Sequence, residues 1–343
     1  MLTTTPMTTT GIFLGTATTI STNHWLMAWI GLETNMLAIL MVIAKPKTTR
    51  ATEATTKYFL MQAIASIMIL FSSTTNAWQM GTWDITQLYN KYSSTIMAVA
   101  LATKLGAAPI HFWLPEVMQG SSLMTALLLS TWQKIAPMTL MYMAAKNMQP
   151  VILTTIGLMS MLIGGLGGIN QTQLRKTMAY SSINNTGWTL LIMPISPNIA
   201  MLNMFIYMNT TIPTFLIMMK SSTKTLRDLT GMWTTSPIFP HMMALLMLST
   251  SGLPPLTGFI PKLMILNELL QQKMVTMATI AALMSLLSLV FYLRITYLSM
   301  MLTPPTTSSA SMKWRHTNYQ PALTSCLIPT ALTTLLIAPA IPL

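Results

Sequence analysis

The chain has 343 residues, of which 52% are hydrophobic and only 7% are charged. A soluble domain has roughly a quarter of its residues charged, so this composition excludes a soluble core with a polar shell and indicates a membrane protein. The net charge of +12 does not predict nucleic-acid binding, because the basic residues are dispersed among short loops between apolar segments.

Eleven apolar segments follow one another along the chain, each near the roughly 20 residues that a helix needs to cross a bilayer. They cover about 3–22, 24–44, 57–78, 93–118, 122–145, 149–169, 174–194, 197–220, 239–271, 275–302 and 321–342. The ninth is too long for one straight helix, and we expect Pro254, Pro255 and Pro261 to break it. The sequence therefore predicts an all-α polytopic membrane protein with about 11 transmembrane helices.

The charges of the loops predict the orientation of these helices. One side carries eleven basic residues: Lys45, Lys47, Arg50, Lys57, Arg175, Lys176, Lys220, Lys224, Arg227, Lys313 and Arg315. The other side carries three: Lys91, Lys146 and Lys273. Because basic loops stay inside, the N-terminus is expected inside and the C-terminus outside. We predict one membrane domain over 1–343, with half-channels at about 24–145 and 174–302 and a C-terminal helix at about 321–342.

Four charged residues lie in the middle of predicted spans, namely Glu33, Lys104, Lys134 and Lys262. A charge at the bilayer centre costs roughly 2.5–3.5 kcal/mol on insertion scales, so these side chains are candidates for moving or binding a charged species. Glu33 and Lys104 buried together would stabilise each other's charged forms, and withdrawing the acid would let the lysine release its proton. The alternative is that Glu33 and Lys104 form a static ion pair that fixes helix packing. This alternative does not extend to Lys134 and Lys262, because the sequence shows no acidic partner for them.

Three other polar or glycine-rich features have ordinary structural interpretations. Arg294 is expected to reach the membrane surface, and Glu116 near the end of the fourth span is expected to be a loop-facing gate or a solvated cap. The glycines of 164–168 indicate close helix packing, because no strand precedes them as in a nucleotide-binding loop.

Two segments 146 residues apart, 106–118 and 252–264, share one pattern of glycine, proline and aromatic residues. Both read G-x-x-P-x-x-x-aromatic-aliphatic-P-charged-aliphatic-M. Such paired interruptions are typical of transporters with inverted repeats, so we predict helix breaks at about 105–110 and 252–261, related by an inverted two-fold axis. The alternative is that glycine and proline merely kink packed helices.

Cysteine and histidine do not predict a metal or redox site. The lone Cys326 excludes an internal disulfide framework and a thiolate cluster, and the four histidines have no ligand-like spacing. The 35 methionines are consistent with flexible packing, or with an organellar code that reads an isoleucine codon as methionine. No transit peptide is recognisable at the start, which also suits a chain made inside an organelle.

Four motifs resemble the antiporter-like membrane subunits of respiratory complex I, and specifically the subunit 2 family of animal mitochondrial NADH dehydrogenase. They are KLGAAPIHFWLPEVMQG at 104–120, HWLMAWIGLETNM at 24–36, STWQKIAP at 130–137 and GLPPLTGFIPK at 252–262. The resemblance covers essentially the whole chain, and its length and number of spans agree with the animal form.

The resemblance implies a proton-translocating subunit in which Glu33 and Lys104 are the coupled pair, Lys134 relays protons and Lys262 is the last lysine of the second half-channel. It implies no cofactor in this chain, while NADH, FMN, iron–sulfur clusters and ubiquinone belong to other parts of the complex. The implied partners are other complex I membrane subunits, including sister antiporter-like subunits, and lipids such as cardiolipin. The implied location is the mitochondrial inner membrane, with the N-terminus on the matrix side and the C-terminus on the intermembrane-space side.

The sequence also departs from the family pattern, and other functions stay open. The spans at 174–194 and 197–220 have charges only at their inner ends, so the second half-channel is expected to depend on water, threonine and asparagine. The repeat preserves the break and not the charge, since Thr250 stands opposite Lys104 and Lys262 opposite Glu116. The alternatives are a cation/proton antiporter subunit, stand-alone or of the Mrp type, and a structural membrane spacer.

Overall fold

A computed structural model describes residues 4–88, 90–234, 236, 238–301 and 312. In these ranges the chain is helical and contains no strand of a sheet. The α-helices are α1 Thr4–Ser21, α2 Trp25–Ala44, α3 Thr49–Met80, α4 Lys91–Leu105, α5 Trp113–Gly120, α6 Leu123–Ser130, α7 Trp132–Ala144, α8 Pro150–Ile169, α9 Leu174–Ile192, α10 Pro197–Lys220, α11 Ile238–Ser251, α12 Phe259–Gln271 and α13 Val275–Met300. Two 3-10 helices cover Ala145–Asn147 and Arg227–Thr234.

Local capping residues explain where several helices begin and end. Side-chain oxygens of Thr48 and Ser122 accept hydrogen bonds from backbone N–H groups in the first turns of α3 and α6. Such bonds satisfy donors that have no partner inside the helix. Gly81 ends α3 in the left-handed conformation with φ 73°, which glycine adopts without a steric penalty.

The predicted all-α membrane fold is confirmed. Among the described residues, five helices are long and apolar enough to cross a membrane by length and composition: α2, α3, α8, α10 and α13. Three other predicted spans are divided into shorter helices, as α4 and α5, α6 and α7, and α11 and α12. The division between α6 and α7 at Thr131 was not predicted. The predicted C-terminal helix at 321–342 lies outside the described residues.

The contacts divide the chain into two compact units. The first unit comprises Met1–Ser160 and Thr189–Met201. In it, α3 packs against α2, α4 and α5, while α7 packs against α1, α2 and α4. The long helix α3 and the interrupted helix α7 thus both contact α4, on which Lys104 lies.

The second unit comprises Met161–Trp188 and Leu202–Leu343. In its described part, α13 packs against α11, α12 and the 3-10 helix Arg227–Thr234. The glycines of α8 allow the close packing that was predicted, because a Cβ atom added to Gly168 would lie 2.7 Å from the Phe291 ring. Arg294 is exposed, and its Nη1 donates to the Ile169 carbonyl at the end of α8 at 2.9 Å.

Candidate functional site

The first helix break lies between α4 and α5, as the glycine and proline pattern predicted. Gly106 follows the end of α4 with φ 75°, and its N–H donates to the Thr103 carbonyl at 3.0 Å. The indole Nε1 of Trp113, the first residue of α5, donates to the same carbonyl at 3.3 Å. The freed backbone oxygen is therefore satisfied within the protein, as it must be in a bilayer.

The second break lies between α11 and α12 and repeats this backbone geometry. Gly252 follows the end of α11 with φ 83°, and its N–H donates to the Ser249 carbonyl at 3.1 Å. An offset of 146 residues separates the two helix ends, the two left-handed glycines and the two following helix starts. Both predicted breaks are thus present.

The expectation that Pro261 breaks the ninth span was wrong. Pro261 lies in the first turn of α12, and Pro115 occupies the matching place in the first turn of α5. Proline is tolerated there because the N–H group that it lacks would have no partner inside the helix. The break itself covers 252–258.

Lys104 lies in the last turn of α4, immediately before the first break. Its side chain is buried, with only 6% of the residue exposed. The carbonyl end of a helix carries a partial negative charge, so an ammonium group is stabilised at this position. The Lys104 carbonyl also lies 3.5 Å from Nε2 of Gln62, a buried side chain on α3.

Glu33 on α2 is near enough to Lys104 for their charges to interact, but the two do not form a direct ion pair. The ion pairs within 4.0 Å among the described residues are those of Lys57 with Glu53 and Glu116. One buried oxygen of Glu33 also lacks a hydrogen-bond partner in the described chain. Glu33 and Lys104 therefore do not have the geometry of a contacting ion pair.

Lys134 lies in the first turn of α7, directly after the interruption at Thr131, and is 2% exposed. Both Lys134 and Lys104 line one cavity of about 20 Å³. The other polar residues of its wall are Asn35, Tyr58, Gln62 and Gln133. The cavity thus brings together two of the four predicted site residues, Lys104 and Lys134, while Glu33 belongs to α2 of the same unit and does not line the cavity.

Lys262 belongs to the second unit and lies in the first turn of α12. Its Nζ donates to the Ser251 carbonyl at the end of α11 at 2.6 Å, and lies 5.9 Å from the centre of the Trp188 ring. A second cavity of about 20 Å³ adjoins Lys262. Its polar wall contains Asn185, Asn203, Tyr207, Thr210 and Thr250. Asparagine and threonine side chains thus surround Lys262, and their role in a half-channel stays a prediction.

Glu116 is half exposed and its Oε2 binds Lys57 Nζ at 2.6 Å. Lys57 also binds Glu53 Oε1 at 2.5 Å, so one lysine of α3 bridges two carboxylates. Glu116 is therefore not a solvated cap, because it ties the half-helix α5 to α3. This link could not be predicted, because Lys57 and Glu116 are distant along the chain.

Sequence reasoning missed the uncharged polar residues that surround the lysines. Gln133 Nε2 donates to Asn35 Oδ1 at 2.8 Å, and the Tyr58 hydroxyl donates to Gln133 Oε1 at 3.5 Å. The signal that could have revealed them is their place beside Lys134 and Glu33 in apolar spans, where polar groups are costly. In the described ranges no group of three or more His, Cys, Asp and Glu side chains could hold a metal ion.

Comparison with known proteins identifies the family. A profile described as NADH:quinone oxidoreductase/Mrp antiporter, TM, matches residues 22–288, and one described as NADH dehydrogenase subunit 2 C-terminus matches residues 289–343. NADH-ubiquinone oxidoreductase chain 2 of Salmo salar is 50% identical over 302 residues, which cover 88% of this chain and 86% of the relative. The protein of that name from Xenopus laevis is 50% identical over 304 residues, covering 89% and 88%.

Solved structures agree with this assignment. A chain of respiratory complex I from Thermus thermophilus, with bound Aureothin, has a TM-score of 0.81 and 25% identity, over 95% of this chain and 77% of that chain. A chain of the Mrp complex from Dietzia sp. DQ12-45-1b has a TM-score of 0.75 at 19% identity, over 85% and 59%, and shows the same fold. The chain therefore belongs to the antiporter-like membrane subunits of NADH:quinone oxidoreductase.

Proposed function

We propose that this chain is a proton-translocating subunit of NADH:ubiquinone oxidoreductase and that Glu33, Lys104, Lys134 and Lys262 carry the protons. The observation that supports it most is the small buried cavity whose wall contains both Lys104 and Lys134. Two amines this deeply buried are costly to maintain unless their charge is used. Both lie beside interrupted helices, and Lys104 lies at the carbonyl end of α4, where the helix dipole stabilises a cation.

In the proposed mechanism, Glu33 controls the proton on Lys104. Their charges interact at a distance beyond direct contact, so the carboxylate stabilises the ammonium without trapping it in an ion pair. Neutralising or withdrawing Glu33 removes this stabilisation, and the proton passes from Lys104 toward Lys134. Lys262 performs the matching step in the second half-channel, where asparagine, threonine and water replace further charges.

The remaining parts of the proposal concern the assembly. The chain resides in the mitochondrial inner membrane among other complex I membrane subunits, with about 11 spans, inverted repeats and its N-terminus on the matrix side. It lies against sister antiporter-like subunits and lipids such as cardiolipin. NADH oxidation and ubiquinone reduction, with FMN and iron–sulfur clusters, take place in other subunits, and this chain binds no cofactor.

Substitution of Lys104 tests the function. In assembled complexes, Lys104→Arg should impair proton pumping although it keeps the charge, because a guanidinium group does not release its proton. Lys104→Met should impair pumping as well. Lys91→Met is the matched control, since Lys91 is an exposed residue at the start of the same helix. Normal NADH-driven pumping in Lys104→Arg complexes would instead support a purely structural charge.

Glu33→Gln gives an independent test of the coupling. We expect NADH oxidation and proton pumping to fall together, because tightly coupled steps cannot proceed separately. Assembly is checked by native electrophoresis with in-gel NADH oxidation. A normal rate at the normal ratio of protons to electrons would assign Glu33 a structural role only.

The second candidate is a cation/proton antiporter subunit, which the fold shared with the Mrp complex favours. Such a function needs an acidic cation site. The Asp228 carboxylate is an unsuitable candidate, because its Oδ2 already accepts the backbone N–H groups of Lys224 and Thr225 at 3.1 and 2.9 Å. Co-migration of the chain with NADH-oxidising activity supports the first function, whereas a free chain with sodium-dependent proton exchange would support the second.

A further inference from the structure

The cavity beside Lys262 has a polar wall without a carboxylate. Its volume of about 20 Å³ exceeds the roughly 10–15 Å³ that one water molecule needs, so it has room for a single small species. None of the described residues that line it is an aspartate or a glutamate. A cation is excluded from this cavity, because the Lys262 ammonium would repel it and no negative side chain would hold it. The ligand is therefore either neutral or negative.

Lys262 is a buried cation without a counter-ion in the described part of the chain. The residue is 9% exposed and takes part in none of the ion pairs among the described residues. No carboxylate is near enough for its charge to interact with Lys262, as Glu33 does with Lys104. A buried charge is costly unless it is paired. One of the three N–H donors of the ammonium binds the Ser251 carbonyl, so two remain for a ligand.

Asn185 supplies a second donor to the same cavity. Its Oδ1 accepts a hydrogen bond from Asn203 Nδ2 at 3.4 Å, which leaves the amide nitrogen for another partner. That nitrogen, Nδ2, is buried and has no hydrogen-bond partner in the described chain. An amide NH₂ group donates two hydrogen bonds and accepts none. The group that satisfies Asn185 must therefore be an acceptor.

The threonine hydroxyls of the wall do not supply that acceptor's other bonds. Those of Thr210 and Thr250 already donate to the carbonyls of Tyr207 and Met247, at 3.0 and 2.9 Å. The wall also includes Gly258, which directly precedes α12. The start of a helix carries a partial positive charge and favours an anion. The helix start thus adds to the attraction that the Lys262 ammonium and the Asn185 amide exert on a negative ligand.

We propose that this cavity binds one small monovalent anion, of which chloride is the simplest, as the counter-ion of Lys262. The Lys262 ammonium and Asn185 Nδ2 donate hydrogen bonds to it. A water molecule could accept the same bonds, but it would leave the buried charge unpaired. The anion does for Lys262 what the Glu33 carboxylate does for Lys104. Its binding can be measured directly, whereas its effect on pumping rests on the proposed proton-translocating function.

Exchange of the anion tests the proposal in the wild-type complex. Assembled complex in vesicles is supplied with NADH in potassium chloride, bromide or gluconate at one ionic strength, with valinomycin to clamp the membrane potential. Gluconate is too large for the cavity, so pumping should fall roughly fivefold when it replaces chloride, through loss of a charge-assisted hydrogen bond. Bromide should support pumping as chloride does.

Density maps of the wild-type complex test binding without a measurement of activity. The difference between maps in bromide and in gluconate should show one peak within hydrogen-bonding distance of Lys262 Nζ and Asn185 Nδ2. A cavity without this peak holds only water and overturns the proposal. Equal pumping in chloride and in gluconate also overturns it.

Asn185→Asp assigns the effect to this cavity, with Asn198→Asp as the matched control. The new carboxylate keeps the bond from Asn203 and supplies a tethered counter-ion, so pumping should no longer depend on chloride and the bromide peak should disappear. Asn198 lies on α10, as Asn203 does, but it is exposed and does not line the cavity. Its variant should keep the chloride dependence of the wild type. An Asn185→Asp complex with the full dependence on chloride contradicts the proposal.

Lys262→Met separates this proposal from the proposed function. If pumping is lost in this variant but does not depend on chloride in the wild type, only the counter-ion fails. If Lys262→Met complexes pump normally, the assignment of Lys262 to proton transfer fails, whereas the bromide peak in wild-type maps still decides whether the anion binds.

Discussion

The two helix breaks have the same backbone geometry, but the lysine precedes the break in one and follows it in the other. In the first, Lys104 belongs to α4 and precedes the break. In the second, Lys262 belongs to α12, follows the break and reaches back to the Ser251 carbonyl at 2.6 Å. Either half of a broken helix can therefore supply a cation to the carbonyl end that the break exposes, because that end carries partial negative charge in both.

Each lysine has a different residue at the matching position of the other repeat. Thr250 stands opposite Lys104 in the repeat, and it lines the cavity beside Lys262. Glu116 stands opposite Lys262, and it turns to Lys57 on α3 instead of binding the break. The left-handed glycine is the feature that both breaks require, since a side chain there is strained.

The largest difference between the two breaks is expected at Gly258, where a substitution should reduce stability most. A Cβ atom at this position would lie 1.8 Å from the Ser249 carbonyl oxygen, a clash with the backbone that no side-chain rotamer relieves. Gly258→Ala should cost about 3 kcal/mol and reduce the yield of assembled complex on native gels. The matching residue of the first break is Phe112, which is 68% exposed. Phe112→Ala should assemble normally, and an equal yield of both variants would show that the breaks are equally tight.

A large effect on activity is expected at Lys262. Lys262→Met removes the charge and the bond to Ser251, so proton pumping should fall about tenfold or more. Glu116→Gln, at the matching position, loses a half-exposed ion pair worth about 0.2–1 kcal/mol, and pumping should change less than about twofold. Both are measured in vesicles that contain the assembled complex. Equal losses would indicate that the repeat preserves function at this position.

A smaller effect on stability is expected at Trp113, which caps the first break. Trp113→Phe removes the indole hydrogen bond to the Thr103 carbonyl while keeping most of the aromatic packing. The carbonyl keeps its bond from Gly106, so the free energy of unfolding should fall by about 0.5–1 kcal/mol. This loss is measured as a lower midpoint of thermal inactivation. Trp78→Phe is the control, since Trp78 is 90% exposed in the same unit. Similar midpoints for both variants would argue against capping by the indole.

The smallest effect is expected outside both breaks, at Asp228 in the loop before α11, where it lies in the first turn of the 3-10 helix Arg227–Thr234. Partial burial raises the pKa of this carboxyl, but the hydrogen bonds from Thr225 and Lys224 outweigh it and lower the pKa overall. The stabilisation is therefore present above the unfolded-state pKa and is lost as pH falls through the lower folded-state pKa. Asp228→Asn should cost about 0.5 kcal/mol at pH 7 after allowance for exposure.

The thermal unfolding midpoints of the wild-type and Asp228→Asn complexes should begin to converge as pH falls below about 4, where the carboxyl becomes protonated in the unfolded chain. They should coincide only below the lower folded-state pKa, where the carboxyl is protonated in both states. Pumping should be normal at neutral pH. A difference in midpoint that persists at low pH, or a loss of pumping, would mean that this loop acts on the breaks.

The two helix breaks could be predicted from the sequence because neighbouring glycine and proline residues cause them. The left-handed conformation favours glycine, and a following proline disfavours a continuous helix, so the pattern at Gly106 and Gly252 predicts the geometry. The four charged residues also stood out, because charge is rare in apolar spans. The family assignment that these motifs indicated is confirmed by the relatives.

The partners of those charges could not be predicted, because they depend on which helix faces pack together. Nearly every span has apolar residues on all faces of its helix, so the sequence pattern does not reveal which face is buried against other helices. The Asn35–Gln133 bond joins α2 to α7, and the Tyr58–Trp113 contact joins α3 to α5. The interruption at Thr131 was missed for another reason, since no glycine marks it.

The length of α3 has a consequence for the depth at which the first break lies. Its 32 residues span about 48 Å at 1.5 Å per residue, whereas the hydrocarbon core is about 30 Å thick. Even a tilt of about 40° leaves about 7 Å of this helix beyond the core. Lys57 lies in its polar N-terminal part and holds Glu116 of α5. The ion pair therefore ties the depth of the first break to the position of α3 in the membrane. This depth should stay the same in lipids of different chain length.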